Sequence, residues 1–564
     1  MRFAITISAL ALILLPMLTS PYDSGKTQQE GADLILLNGN VITMEPDKPR
    51  ASAIAVKGDR ILKVGSDKEI KELSAPGCKT VDLNGKTVIP GLIDAHLHFI
   101  SIGQSKRILN LVGTQNLQEI QKMVADKAAM LPKGKWIIGR GWDQNDWPEK
   151  KFPTRYDLDK VAADHPVLLT RVCGHANWAN SKAIEMAKIT KDTPDPAGGK
   201  IIRDLKTGEP TGVFIDEAEG LINKIIPPAS YGQRKADALT AMKACLAVGL
   251  TGGHDAGVGL ETIKIYKELI DQGRFDFRIY AMISGEGEAA EEYLKKGPTI
   301  GYGNNRLTAR SFKLFADGAL GSRGAAFFQP YNDDPGNYGL ITFEPEKVYM
   351  LIVRALKAGF QVNTHCIGIK GNSLFLDLYQ KALKEVPTKD HRFRIEHAQV
   401  VKPSDFRRYA RLGVIASMQP THCTSDMYWA EDRVGPERVK GAYAWKSFLN
   451  SGVKIAGGSD APVESENPFF GIYAAATRQD QKGWPKGGWY PEQKLTREEA
   501  LRIFTIDAAY AAFEEDIKGS LKEGKLADMV IIREDIMTVP ADKIYKIKPV
   551  MTILGGKIVY GKGG

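Results

Sequence analysis

The stretch VIPGLIDAHLHF, residues 88–99, decides how the rest of the chain is read. An apolar run ends in two histidines two positions apart. Side chains at i and i+2 of a strand share a face, so His96 and His98 point the same way. A buried apolar strand that finishes in polar residues is the habit of a parallel α/β barrel, whose C-terminal strand ends carry the chemistry. Seven further apolar segments follow at 249–255, 277–284, 309–317, 359–368, 392–399, 413–420 and 453–460. Helix-period stretches, among them 261–272, 346–358 and 373–385, lie between them. Eight strands alternating with helices predict a (β/α)8 TIM-like barrel within the α/β class.

Outside this core the pattern changes. Residues 32–88 and 511–564 read as short strands broken by N-G, G-N and G-D turns. Both ends of the chain are therefore expected to build one small β-sandwich domain around the barrel at 89–510. The gap between the first and second barrel strands is too long for a helix alone. It predicts an inserted subdomain at about 113–235, with Trp136, Trp142, Trp147 and Trp178 as a lid or substrate wall. Arg2 followed by the apolar run 3–18 reads as a signal peptide over residues 1–20. That predicts an exported protein, periplasmic or secreted, with an uncleaved N-terminal anchor as the alternative and no other membrane contact.

The polar residues at the barrel strand ends carry the functional reading. Strand one ends in His96 and His98, strand four carries Lys313 and ends at Asp317, strand five ends in His365, strand six in His397 and strand eight in Asp460. Four histidines, a lysine and an aspartate thus converge on one mouth. Imidazole and carboxylate suit a divalent transition metal such as zinc. Lys313 has a plainer reading as an interior ion-pair partner of Asp317 or Asp460. Alternation aims Glu396 opposite to His397, either behind the site or away from it.

In this order, VIPGLIDAHLHF, Lys313 in FKLFADGALGS, His365 in VNTHCIG, His397 in RIEHAQ and Asp460 in GGSDAPV resemble the amidohydrolase superfamily. More narrowly, the chain is similar to the YtcJ-like branch (amidohydrolase family 3), which includes N-substituted formamide deformylases. RGWDQNDW (140–147), GHANWANS (174–181), GLTGGHDAG (249–257) and SMQPTH (417–422) share in a likeness running from about residue 32 to the C-terminus. The resemblance implies that His96 and His98 hold one metal and that His365 and His397 hold a second. It implies an N6-carboxylated Lys313 bridging the two, since an ammonium cannot coordinate a cation. Asp460 would touch the first metal and act as general base toward a metal-activated water. One or two ions per chain, zinc by preference, fit this scheme.

The implied activity is hydrolysis of a non-peptide C–N bond in a small amide, N-formyl or cyclic amide. An esterase or lactonase on the same site, and a silent metal-retaining binding protein, are the alternatives. The chain departs from the family at Ile369 and Cys173, where acidic residues are frequent. His175 and His422 lie in family-like motifs and are candidate substrate contacts, as is Arg323 in the loop after strand four, toward a substrate carboxylate. His254 supports the barrel wall, and His165 and His391 are expected in exposed loops.

Composition narrows the alternatives. With 76 basic and 67 acidic residues the net charge is +9, and no cluster of Lys/Arg stands out. Nucleic-acid binding is therefore not expected, and the excess points to solubility with a bias toward anionic substrates. The five cysteines are far apart with no C-x-x-C, which removes zinc-finger and thioredoxin-like readings. The oligomeric state is left open, with a homo-oligomer allowed.

Overall fold

The computed structural model describes residues 31–171, 176–196 and 198–561. The expected leader, Cys173 and His175 lie outside them. At the centre stand eight parallel strands: β1 (Leu92–Leu97), β2 (Leu250–Val258), β3 (Arg278–Ser284), β4 (Leu307–Phe315), β5 (Gln361–Cys366), β6 (Arg394–His397), β7 (Ile415–Met418) and β8 (Ile455–Gly457). Neighbours in this order are hydrogen-bonded, and all eight overlap the segments expected from the sequence.

The seam between β8 and β1 closes just beyond β8. Asp460 N donates to His96 O at 2.7 Å, and His98 N donates to Ala461 O at 2.8 Å. The buried Asp94 carboxylate crosses the same seam, accepting from Ser459 Oγ at 2.5 Å and from His96 N at 3.0 Å. Gly458 is required there, because a Cβ would sit 2.6 Å from His96 N. Closure therefore presents Asp460 beside the two strand-one histidines.

Helices pack on the outside for the expected reason. In Pro345–Lys357, proline occupies the first turn, where its missing N–H costs nothing. Val348, Tyr349, Ile352, Val353 and Leu356 form its buried stripe. The helices Leu260–Asp271 and Ile369–Glu385 also lie close to the stretches read as helical.

Both chain ends share one β structure. Thr87–Pro90 pairs antiparallel with Met529–Ile532 in a six-stranded sheet. A four-stranded sheet from residues 32–82 faces it across a common core that includes Leu34, Ile54, Val56, Met529, Ile531 and Ile553. Arg278, at the start of β3, ties this unit to the barrel. It grips Asp528 with two hydrogen bonds of 2.6 and 2.8 Å, both side chains buried.

Between β1 and β2, residues 109–216 form a separate six-stranded sheet. Its tryptophans correct one expectation. Trp142, Trp147 and Trp178 are buried together in the sheet's own core, and Trp136 packs against a neighbouring cluster. They stabilise the insertion rather than form a substrate wall, since burying large rings in a common core is where aromatic side chains contribute most.

His165 and His391 also differ from the reading of exposed loops. Both are buried because backbone carbonyls accept from their rings: Lys135 O from His165 Nδ1 at 2.9 Å, and Leu412 O from His391 Nε2 at 2.8 Å. Among the described residues no helix is long and apolar enough to cross a membrane. The described cysteines, Cys78, Cys245, Cys366 and Cys423, are all unpaired.

Candidate metal centre

At the C-terminal mouth of the barrel, His96, His98, Lys313, His365, His397, His422 and Asp460 line one cavity of about 390 Å³. The strand ends deliver the first four and His397. Asp460 follows β8, and His422 rides on the helix Pro420–Asp426 after β7. The imidazoles form a chain, with ring centroids 5.8 Å apart for His96 and His98, 4.8 Å for His96 and His397, 4.5 Å for His365 and His397, and 6.0 Å for His397 and His422.

Hydrogen bonds settle which nitrogen each ring offers. His96 Nδ1 lies 2.5 Å from Glu396 Oε2, an oxygen that as a carboxylate can only accept. His397 Nδ1 lies 2.7 Å from the amide oxygen of Gln419, whose NH2 is turned to Ser417 O. His98 Nδ1 donates to Ala256 O at 3.2 Å. In its neutral form each of the three rings carries its proton on Nδ1, and Nε2 then keeps a lone pair facing the cavity. This arrangement orients ligating histidines in metal proteins.

The opposing oxygen is Asp460 Oδ1, 3.2 Å from His98 Nε2 and 3.6 Å from His96 Nε2. His96, His397 and Asp460 each place one ligand-type atom within 4.8 Å of the others. Asp460 Oδ1, His365 Nε2 and His422 Nε2 are buried with no hydrogen-bond partner. Several orphaned donor atoms around one void fit a metal ion, because a buried lone pair without a partner is otherwise costly.

The electrostatics of His365 and His397 agree with that fit, and His98 differs. Burial drives His365 down to about 3, assisted by the Lys313 charge, and drives His397 well below the ordinary imidazole value. Neutral imidazole is the form that ligates. Burial opposes the charged form of His98, but the adjacent Asp460 outweighs it and raises its pKa. Burial also opposes the Asp460 carboxylate, yet His98 and the surrounding rings hold it well below the usual range.

Lys313 is buried, and burial lowers it to about 8 against the restoring charges of Glu396 and Asp460. Its Nζ lies over the Phe315 ring, 4.3 Å from the centroid. Among the described residues no carboxylate lies within 4.0 Å of it, so the plain ion pair with Asp317 or Asp460 is not formed. Asp317 instead accepts the backbone N–H groups of Ile367, Gly368 and Ala326 at 2.7–2.9 Å, fixing the loops after β4 and β5.

Glu396 was expected opposite to His397, behind the site or turned away from it; it lies behind the site, where the chain turns. His397 and Ala398 adopt φ of +72° and +42°. The break in extended geometry lets His397 line the mouth while Glu396 supports His96 from below. Glu396 lies beneath His96 and meets Arg394 Nε at 2.8 Å, both side chains fully buried. Arg394 also reaches His254 Nδ1 at 2.9 Å, Ser417 Oγ at 2.9 Å and Ala95 O at 2.6 Å. His254 thus belongs to the polar layer under the site.

Of the softer candidates, His422 reaches the cavity, with Nε2 3.8 Å from Asp460 Oδ2. Arg323 does not line it. Asp333 holds the guanidinium through bonds of 3.1 and 2.9 Å, so it staples loops rather than waits for a substrate carboxylate. Sequence reasoning did not single out Gln419, which holds His397 from behind, or Asp426, Trp429 and Glu464 in the wall. Only Gln419 carried a signal, one step before the helix that bears His422.

Comparison with known proteins places these observations in a family. YtcJ of Bacillus subtilis (strain 168), named as an amidohydrolase, is 34% identical over 93% of this chain and 98% of that protein. N-substituted formamide deformylase of Arthrobacter pascens is 28% identical over 94% of this chain and 99% of that one. The crystal structure of an uncharacterized metal-dependent hydrolase from Pyrococcus furiosus superposes with a TM-score of 0.73 at 30% identity, covering 90% of this chain and all of that one. With the family profile itself matching residues 79–560, the barrel, its histidine-rich mouth and the flanking sheets are those of a member of the amidohydrolase family.

Proposed function

We propose that the chain is a metal-dependent hydrolase that cleaves a non-peptide C–N bond in a small amide, N-formyl or cyclic amide substrate. The observation that carries this is the set of lone pairs from His96, His98 and His397 facing the unpartnered Asp460 Oδ1 in one cavity. The name of the Arthrobacter relative supports the C–N bond and the N-formyl class.

A bound divalent metal, zinc in this proposal, supplies Lewis acidity toward the scissile carbonyl and lowers the pKa of a water toward about 7. His96 and His98 would hold one ion, and His365 and His397 would hold a second. Lys313, lowered to about 8, has a neutral amine form within reach near neutral pH; adding carbon dioxide and releasing a proton would turn it into a carbamate, whose oxygens would be able to ligate metal. Asp460 Oδ1 takes the proton from the attacking water and returns it to the departing nitrogen. Glu396 and Gln419 keep His96 and His397 in the ligating tautomer. We extend the proposal to export after removal of a leader, on the basis of Arg2 and the apolar run that follows it.

The test pairs metal analysis with amine release from a panel of N-formyl amines, cyclic amides and simple amides, with esters and lactones alongside. Metal-dependent amine release supports the reading. Turnover confined to esters and lactones transfers the site to the esterase alternative, and bound metal without turnover of any substrate refutes hydrolysis.

A further inference from the structure

The net charge of +9 pointed toward anionic substrates, but the wall of the cavity has the opposite character. Away from the histidines it is built of Phe315, Leu320, Ile367, Trp429 and Val463, with two carboxylates, Asp426 and Glu464. Among the described residues no arginine lines it, and its lysine, Lys313, sits at the histidine end.

The two carboxylates are set differently from other acids nearby. Asp426 is fixed in place, with Oδ2 accepting from Tyr443 OH at 2.6 Å and Gln399 Nε2 at 3.0 Å and Oδ1 facing Ser425 Oγ at 3.3 Å. These partners are all uncharged. Glu464 is half-buried. Among the described residues neither carboxylate has a cation within ion-pair distance. Glu466, two positions on, is by contrast paired with Lys106 at 2.7 Å. Burial raises the Asp426 carboxyl, the His422 ring and the Tyr443 hydroxyl oppose that rise, and the charge of Glu464 adds to it, so the two acids feel each other across the cavity they both line. Neighbouring negative charges partly removed from water repel one another, and a cation placed beside them relieves the cost.

We propose that the site selects substrates with an apolar body carrying a cationic amine or guanidine, the cation lodging against Glu464 and Asp426. This rests on the amide-hydrolase reading for the reaction but makes its own claim about binding. The cavity volume suits a single ring with a short substituent. The apolar wall takes the ring, and an anionic group in the same place would meet two like charges.

Calorimetric titration of the zinc-loaded full chain with three probes of matched shape separates the possibilities: 4-(aminomethyl)benzamide, 4-methylbenzamide and 4-carbamoylbenzoate. The cationic probe is expected to bind about ten-fold tighter than the neutral one, and the anionic probe weaker than both. Glu464→Gln should bring the cationic-to-neutral ratio down toward about one, and Glu464→Lys should favour the anionic probe. Equal or tighter binding of the neutral probe, no measurable binding of the cationic probe, or undiminished discrimination in Glu464→Gln would each overturn the inference. Ammonia release from the same probes reports on the reaction separately. Hydrolysis of all three with equal kcat/KM keeps the hydrolase and discards the cation subsite. Selective binding of the cation without hydrolysis does the reverse.

Discussion

Replacing Glu396 with glutamine removes one charge from the layer beneath the metal centre while preserving its shape. The carboxylate holds His96 Nδ1 at 2.5 Å and faces Arg394 at 2.8 Å, with none of the three side chains more than 1% exposed. Burial by itself would raise its pKa. Arg394 and His96 outweigh burial and bring it from 4.5 to about 2. That drop corresponds to about 3 kcal/mol of folding stability, which agrees with the ~3–5 kcal/mol typical of leaving a buried partner uncompensated.

Because the folded value lies below the unfolded one, the contribution is complete above about pH 4.5 and is lost as pH falls toward 2. Glu396→Gln should therefore unfold more easily at neutral pH by about 3 kcal/mol and lose that acid-side dependence. A glutamine accepts more weakly than a carboxylate, so His96 is held less firmly and metal affinity should fall about 10–100-fold. Urea unfolding with a chelator present isolates the stability effect, and chelator competition at pH 7 measures the affinity. Stability within about 0.5 kcal/mol of the parent chain, together with unchanged metal affinity, would refute the assignment of Glu396 as the residue that positions His96.

Three further outcomes follow from the same geometry. Asp460→Asn should keep the fold and most of the metal while turnover drops about 10²–10⁴-fold, read by kcat beside metal stoichiometry, and near-normal kcat would remove the proton-transfer role. Lys313→Ala should lower the metal content, and added short carboxylates should restore part of it; a content equal to that of the parent chain would end the two-ion reading. Asp528→Asn leaves Arg278 buried without its anion and should cost about 3–5 kcal/mol in urea unfolding, whereas a negligible change would show that this pair does not clamp the sandwich to the barrel.

Strand periodicity and order made the barrel legible. A strand has a side-chain repeat of two, and a parallel barrel gathers its C-terminal ends at one mouth, so His96, His98, Lys313, His365, His397 and Asp460 could be placed together from local patterns alone. Those patterns say where a strand ends, not how the chain leaves it. The left-handed backbone at His397, which turns Glu396 into support for His96, has no sequence signal of its own. Arg323 shows the same limit: its motif allowed a substrate contact, and only the fold brought Asp333 within reach. The wall likewise joins Asp426 and Trp429, at and just beyond the end of the helix Pro420–Asp426, to Glu464 beyond β8, an approach no local repeat encodes.

The sequence by itself determined the barrel, the ordered donor residues and the family, because each depends on short-range periodicity or on motifs read in line. Tertiary structure alone decided which nitrogen each histidine offers, which carboxylates are paired and which stand free, and what charge the cavity presents. Those properties depend on partners from distant parts of the chain, at hydrogen-bonding distances that only packing sets.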